Sequence, residues 1–210
     1  MTQRFDVCNG DADGLCAALQ WRLHEPAPAT LLTALKRDIA LLEHVHANGG
    51  DEVNVFDLSM HRNRAALLGL LGAGVRVRYF DHHAVGDIPS DPLLEVQVDC
   101  ASDICTSLLV DRRIDGAFRA WALVGAYGDN LAGVADRLAI ESGIGSDVRL
   151  RLRRLGEAVH DRAVERGASV LLDARVTAIS TAAGAVDGVR LAGGRLLPAD
   201  VVVANADAAH

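Results

Sequence analysis

The residues best equipped for chemistry are acids and imidazoles that recur at the ends of apolar runs. Asp11 and Asp13 lie in "NGDADG", Asp57 ends "VNVFD", and Asp81, His82 and His83 close "VRVRYFDHH". Asp129 sits in "AYGDN", at the end of a helical pattern. Singly, each has an ordinary explanation: "GDADG" is a turn or a helix start, and a histidine pair sits well in a solvated loop. Together they are harder to explain without a ligand. Carboxylates brought to one place repel unless a cation holds them. Hard oxygen donors with one or two imidazoles suit Mn²⁺ or Mg²⁺ rather than thiolate-bound zinc. Two such ions about 3.5–4 Å apart activate a water and clamp the oxygens of an in-line displacement at phosphorus. The expected chemistry is therefore displacement at phosphorus by a metal-activated water.

That chemistry requires elements that bring distant residues together. "RFDVC" (4–8) reads as a strand and "GLCAALQWRLHE" (14–25) as a helix stopped by Pro26. A strand over 29–35, a helix over 38–47, a strand over 53–56, a helix over 62–74 and a strand over 75–80 follow. This alternation predicts an α/β fold, a parallel sheet with crossover helices. "ICTSLLVDRRI" and "GAFRAWALVGAYGDN" read as mainly helical. The acids then fall at the C-terminal ends of the strands, the edge where open parallel sheets bind ligands.

Residues 147–167 fit one amphipathic helix, with Asp147 as N-cap, an apolar face at Val148, Leu152, Leu155 and Val159, and Gly167 as stop. Beyond it, short apolar runs separated by glycine-containing turns predict a small β-meander. The expected division is a metal-binding domain over 1–158 and a separate β segment over 159–210.

The totals set bounds. Half of the 210 residues are apolar, so a sizeable core is expected. The net charge of −7 argues against passive adhesion to nucleic acid or anionic membrane, though a bound cation can still attract phosphate. No apolar run is long enough to span a bilayer, and the N-terminus lacks a signal-peptide profile, so a cytoplasmic protein is expected. Cys8, Cys16, Cys100 and Cys105 form no CxxC pair and are expected as reduced thiols.

"NGDADGLCAA", "VFDLSMHRNR", "YFDHHAVGDIP" and "GAYGDN" resemble, in order and spacing, the four N-terminal motifs of the DHH phosphoesterases. The resemblance covers about residues 1–158 and implies a parallel-sheet domain that binds two Mn²⁺ or Mg²⁺ ions. It implies metal ligation by Asp11, Asp13, Asp57, His82 and Asp129, with Asp57 shared between the ions and Asp81 either a ligand or a group orienting His82. His83 resembles the histidine that faces the substrate phosphate or leaving group. Lys36, Arg37, Arg62 and Arg64 follow strand ends and are candidate phosphate contacts. The implied partner is a phosphate-containing small molecule or a short single-stranded nucleic acid. Asn9 stands where many members of the family carry an acid or a histidine. The segment after 158 does not supply the glycine-rich motif with which such enzymes grip substrate, so weak, unselective turnover is expected.

Residues 167–210 resemble instead an internal piece of the phytoene desaturase type of flavin-dependent oxidoreductase, through "ARVTAI", "GVRLAGG" and "ADVVVANAD". In that resemblance Val176 lies near the adenine end of FAD. The GxGxxG loop that would seat a pyrophosphate is missing, because "GIGSD" lacks its third glycine. A fused oxidoreductase remnant and a non-catalytic metal-binding module are the alternatives to a hydrolase.

Overall fold

The computed structural model describes residues 2–34, 40–166, 176–182 and 185–199. The chain divides into two compact units, Met1–Ala168 and Ser169–His210.

The first unit is built on a five-stranded, wholly parallel sheet. Its strands are β1 (Arg4–Asn9), β2 (Thr30–Ala34), β3 (Glu52–Phe56), β4 (Arg76–Asp81) and β5 (Leu94–Val98), in the order β2-β1-β3-β4-β5. The central strands are buried on both faces, as expected of a parallel sheet covered by helices. One face carries Phe5, Val7, Val53, Val55, Val77 and Tyr79 against helix α2 (Met60–Gly72) and a 3₁₀ turn at Leu41–His44. The other presents Cys8, Phe56 and Phe80 to Ala17, Ala18 and Trp21 of helix α1 (Ala12–His24) and to Val110 of helix α3 (Thr106–Arg113). Among the described residues the unit has three further helices: α4 (Arg119–Gly128), α5 (Ala132–Glu141) and α6 (Ser146–Arg166). Helices α3, α4 and α5 share their own apolar core around Leu108, Leu123 and Ala135.

Two features of this sheet place the acids. The strand order reverses direction between β1 and β3, and in open α/β sheets such a switch opens a crevice beyond the strand ends. The register does the rest. Cys8 pairs with Phe56 and Phe56 with Phe80, so the next residues, Asn9, Asp57 and Asp81, stand at one level at the C-terminal edge of the sheet.

The expected alternation is observed, with local differences. The described part of the helix expected over 38–47 holds only the 3₁₀ turn, because adjacent Leu41 and Leu42 are both buried and the Leu42 N–H is taken by Asn63 Oδ1 at 3.2 Å. Strand β5 was not foreseen; it is a short edge strand with no fully buried residue. The expected α6 runs Ser146–Arg166, which puts Asp147 in its first turn rather than at the N-cap. Val148 is exposed, and the inward face is Leu152, Leu155, Gly156 and Val159. Gly156 decides this face, since a Cβ there would stand 2.3 Å from the Val124 carbonyl oxygen of α4.

The second unit holds a three-stranded antiparallel sheet, β6 (Val176–Ala182), β7 (Ala185–Leu191) and β8 (Leu196–Pro198), paired in chain order as the meander pattern predicts. The runs "ASVLLD" and "DVVVANAD" lie outside the described residues. Val176, expected near an adenine, is half exposed at the end of β6.

Candidate metal centre

The site begins with the turn after β1. Asp11 caps α1: its Oδ1 accepts the Gly14 N–H at 3.1 Å, and its Oδ2 accepts from Asn9 Nδ2 at 2.8 Å. Gly14 is required by close approach, because a Cβ would meet the Asn9 carbonyl oxygen at 2.5 Å. The tight turn aims Asp13, two residues on, into the interior, where it is 1% exposed. Both its oxygens are taken by the N-terminus of α3: Oδ2 accepts the Thr106 N–H and Oδ1 the Ser107 N–H, each at 2.8 Å. A carboxylate against the unpaired N–H groups of a helix start is favourable in charge and in hydrogen bonding.

Asp57 follows β3 with φ at +59°, in the left-handed region that a non-glycine residue adopts at a cost. Its backbone N–H is pinned to the Phe80 carbonyl at 3.0 Å. The strain turns the carboxylate inward between two sets of partners. Oδ1 accepts from Thr106 Oγ1 at 3.2 Å and lies 3.3 Å from His82 Nε2. Oδ2 accepts from Asn9 Nδ2 at 3.1 Å.

His82 faces three carboxylates at once: besides Asp57, Asp13 Oδ2 and Asp129 Oδ2 each lie 3.9 Å from its Nε2. Asp129 is the C-cap of α4, so that helix, and not a strand, delivers its acid to the rim. Asp81, the last residue of β4, is fully buried. Its Oδ1 meets His83 Nδ1 at 2.7 Å, whereas its Oδ2 is buried with no hydrogen-bond partner among the described residues.

The electrostatics follow from this crowding. Burial, then the charge of Asp13, raises the Asp57 carboxyl well above the ordinary carboxylate range, against the hydrogen bond from His82. Burial would lower the His82 imidazolium, but the Asp57 hydrogen bond and the charges of Asp13, Asp57 and Asp129 override it and lift the pKa to about 9. Both shifts have one cause, the crowding of buried carboxylates around a single imidazole. His83 is raised mainly by its hydrogen bond to Asp81.

These residues fit a divalent cation. Donor atoms of Asp57, His82 and His83, and those of Asp13, His82 and Asp129, lie within 4.8 Å of one another in each group. Three carboxylates converge on one imidazole nitrogen, and an orphaned buried carboxylate oxygen lies next in the sheet. A divalent ion offsets that repulsion more effectively than a single proton can.

The structure therefore brings Asp11, Asp13, Asp57, Asp81, His82, His83 and Asp129 to one sheet edge. Of the four candidate phosphate contacts, only Arg62 and Arg64 fall within the described residues. Lys36 and Arg37 lie outside the described residues. Arg64 donates to the Asp87 carbonyl, and Arg62 is exposed in the first turn of α2. Sequence reasoning missed Thr106 and Ser107. Their signal is a hydroxyl pair opening the helical run "TSLLVDRR", which marks a helix start and hence a set of free N–H donors.

No family model matches the chain. No curated protein matches it either. Among solved structures, the chain is similar to an exonuclease RecJ bound to manganese, at 25% identity and a TM-score of 0.46, over 78% of this chain and 51% of that one. It is also similar to RecJ in complex with Mn²⁺ from Thermus thermophilus, at 22% identity and a TM-score of 0.42, over 78% of this chain and 28% of that one. The chain thus spans about half of the first protein and little more than a quarter of the second. Neither comparison supports the oxidoreductase resemblance of residues 167–210.

Proposed function

We propose that the rim holds Mn²⁺ or Mg²⁺ and that the protein hydrolyses a phosphodiester or phosphoanhydride, in a short single-stranded nucleic acid or a small phosphate compound. The observation that supports this reading is the convergence of Asp13, Asp57 and Asp129 on His82 Nε2 from three separate elements. Asp13, Asp57, His82 and Asp129 hold the ion. The ion supplies Lewis acidity toward phosphoryl oxygens and makes water nucleophilic at neutral pH.

The chain's own groups set the rest. Asp57 and Asp13 are oriented by α3, through Thr106 Oγ1 and the Thr106 and Ser107 N–H groups, so the ligands are rigid before an ion arrives. Asp81 takes His83 Nδ1, which fixes the ring and leaves Nε2 to contact a phosphoryl oxygen or give a proton to the departing one. His83 is the more exposed of the two histidines, as a group meeting substrate must be. Arg62, Arg64, Lys36 and Arg37 are the proposed outer phosphate contacts. The proposed hydrolytic region is 1–158, with 159–210 taking no part in the chemistry.

The test is Mn²⁺-stimulated hydrolysis of bis-p-nitrophenyl phosphate and of short oligonucleotides, with Asp57→Ala and His82→Ala as controls. Stimulation lost by roughly 100-fold or more in both variants supports the reading. Equal rates in all three proteins end it.

A further inference from the structure

The two donor groups at the rim have His82 in common. Its Nε2 offers a single lone pair and ligates one ion at a time. His83, the remaining member, has its Nδ1 engaged by Asp81 Oδ1 at 2.7 Å, so the groups outline one cation position, flanked by Asp13, Asp57 Oδ1, His82 and Asp129.

The other face of Asp57 is different. Asp57 Oδ2 and Asp11 Oδ2 both accept from the same nitrogen, Asn9 Nδ2, at 3.1 and 2.8 Å. An amide NH₂ has two protons, and here each goes to a carboxylate. The neighbours dictate this orientation, since the amide oxygen turned the same way would face two anions. Register explains the contact: Asn9 ends β1 level with Asp57, so its side chain lies across the crevice between β1 and β3. The amide occupies the space between two oxygens that would otherwise be donors to a cation.

We propose that the Asn9 side chain stands in for a second cation, tying Asp11 to Asp57, so that this rim binds a single divalent ion. Asn9 is a positioning residue in this scheme, and Asp11 supports Asp57 through it instead of ligating. The inference rests on the metal-dependent reading above and deepens it. It also differs from the pair of ions that the sequence resemblance implies.

The experiment is Mn²⁺ titration of the full chain, reading bound metal by equilibrium dialysis with elemental analysis and the electronic state by electron paramagnetic resonance. The wild type is expected to bind one equivalent and to show the hyperfine pattern of an isolated ion. Asn9→Asp, which replaces both donors with an acceptor, is expected to add a second equivalent and an exchange-coupled signal. His82→Ala is expected to weaken the wild-type ion by roughly 100-fold. Two equivalents with a coupled signal in the wild type would overturn the proposal, because the amide would then have turned its oxygen to a second ion. One equivalent in both wild type and Asn9→Asp would overturn it too, by showing that Asn9 is not what excludes the second ion. No bound Mn²⁺ in the wild type would instead remove the metal-dependent reading on which it stands. Should Asn9→Asp fail to fold, the wild-type spectrum at saturating Mn²⁺ decides alone: an isolated signal supports the proposal and a coupled one defeats it.

Discussion

Asp13 and Thr106, remote in sequence, are joined by a 2.8 Å hydrogen bond from the Thr106 N–H to Asp13 Oδ2. With the matching bond from Ser107, it docks the start of α1 against the start of α3. Both donors belong to fully buried residues, so they have no water to turn to. Asp13→Ala should therefore destabilise the metal-free protein by about 2 kcal/mol, the cost of stranding buried donors less the relief of repulsion with Asp57. Urea unfolding in the presence of a chelator measures it, and an unchanged midpoint would refute the coupling.

Metal should act on stability as well as on catalysis. A ligand bound by the folded state alone, at 100 times its Kd, stabilises by about 2.7 kcal/mol. Mn²⁺ is expected to raise the melting temperature by several degrees, EDTA to reverse the shift, and His82→Ala to abolish it. A shift of equal size in His82→Ala would place the binding elsewhere.

On the α1 face of the sheet, Asp6 is buried beneath Arg22. It accepts from Arg22 Nε at 2.9 Å and from Asn54 Nδ2 at 2.8 Å. Removing one partner of a buried pair leaves the other charge uncompensated, which costs about 3–5 kcal/mol. Arg22→Met should lose that much in chemical denaturation, and the double variant Asp6→Leu/Arg22→Met should recover part of it. If the double variant is no more stable than the single one, the pair is not the reason.

The thiols should separate sharply in reactivity. Burial pushes Cys8 up to about 12 and raises Cys16 further, and burial with the charge of Asp13 raises Cys105. Cys100 is exposed. Since the thiolate is the reactive form, a disulfide reagent at pH 8 should label Cys100 quickly and the other three only after unfolding. Rapid labelling of Cys8 in the folded protein would contradict its placement between β1 and α1.

Gly156 tests how α6 belongs to the first unit. A methyl group there would stand 2.3 Å from the Val124 carbonyl and 2.9 Å from the Gly128 nitrogen, both backbone atoms of α4. Overpacking of this kind costs about 1–3 kcal/mol. Gly156→Ala is expected to lower the melting temperature by several degrees, whereas Glu157→Ala, on the exposed side, should change it little. Equal effects from the two would mean that α6 does not lie on α4 through Gly156.

The period-two apolar runs and the intervening helical patterns are local properties, and they were enough for the parallel sheet, for α1, α2 and α4, and for the meander of β6 to β8. They also showed that Asp11, Asp57 and Asp81 stand at strand ends, because a strand's last apolar residue is visible in the sequence. Edge strand β5 was missed, and the inward face of α6 was misplaced at Val148. In both cases the answer depends on what packs against the element, such as α4 against Gly156, and no window of sequence contains that neighbour.

The sequence by itself determined which residue types reach the rim, since strand periodicity and turn chemistry act over a few residues. Only the tertiary structure decided how they are shared out. The parallel register sets Asn9 level with Asp57, and the left-handed backbone of Asp57 turns its two oxygens to different partners. The N-terminus of α3, far along the chain, claims both oxygens of Asp13. Those are distances between elements, fixed when the sheet and helices close on a common core, and they settle which oxygens face His82 and which face an amide.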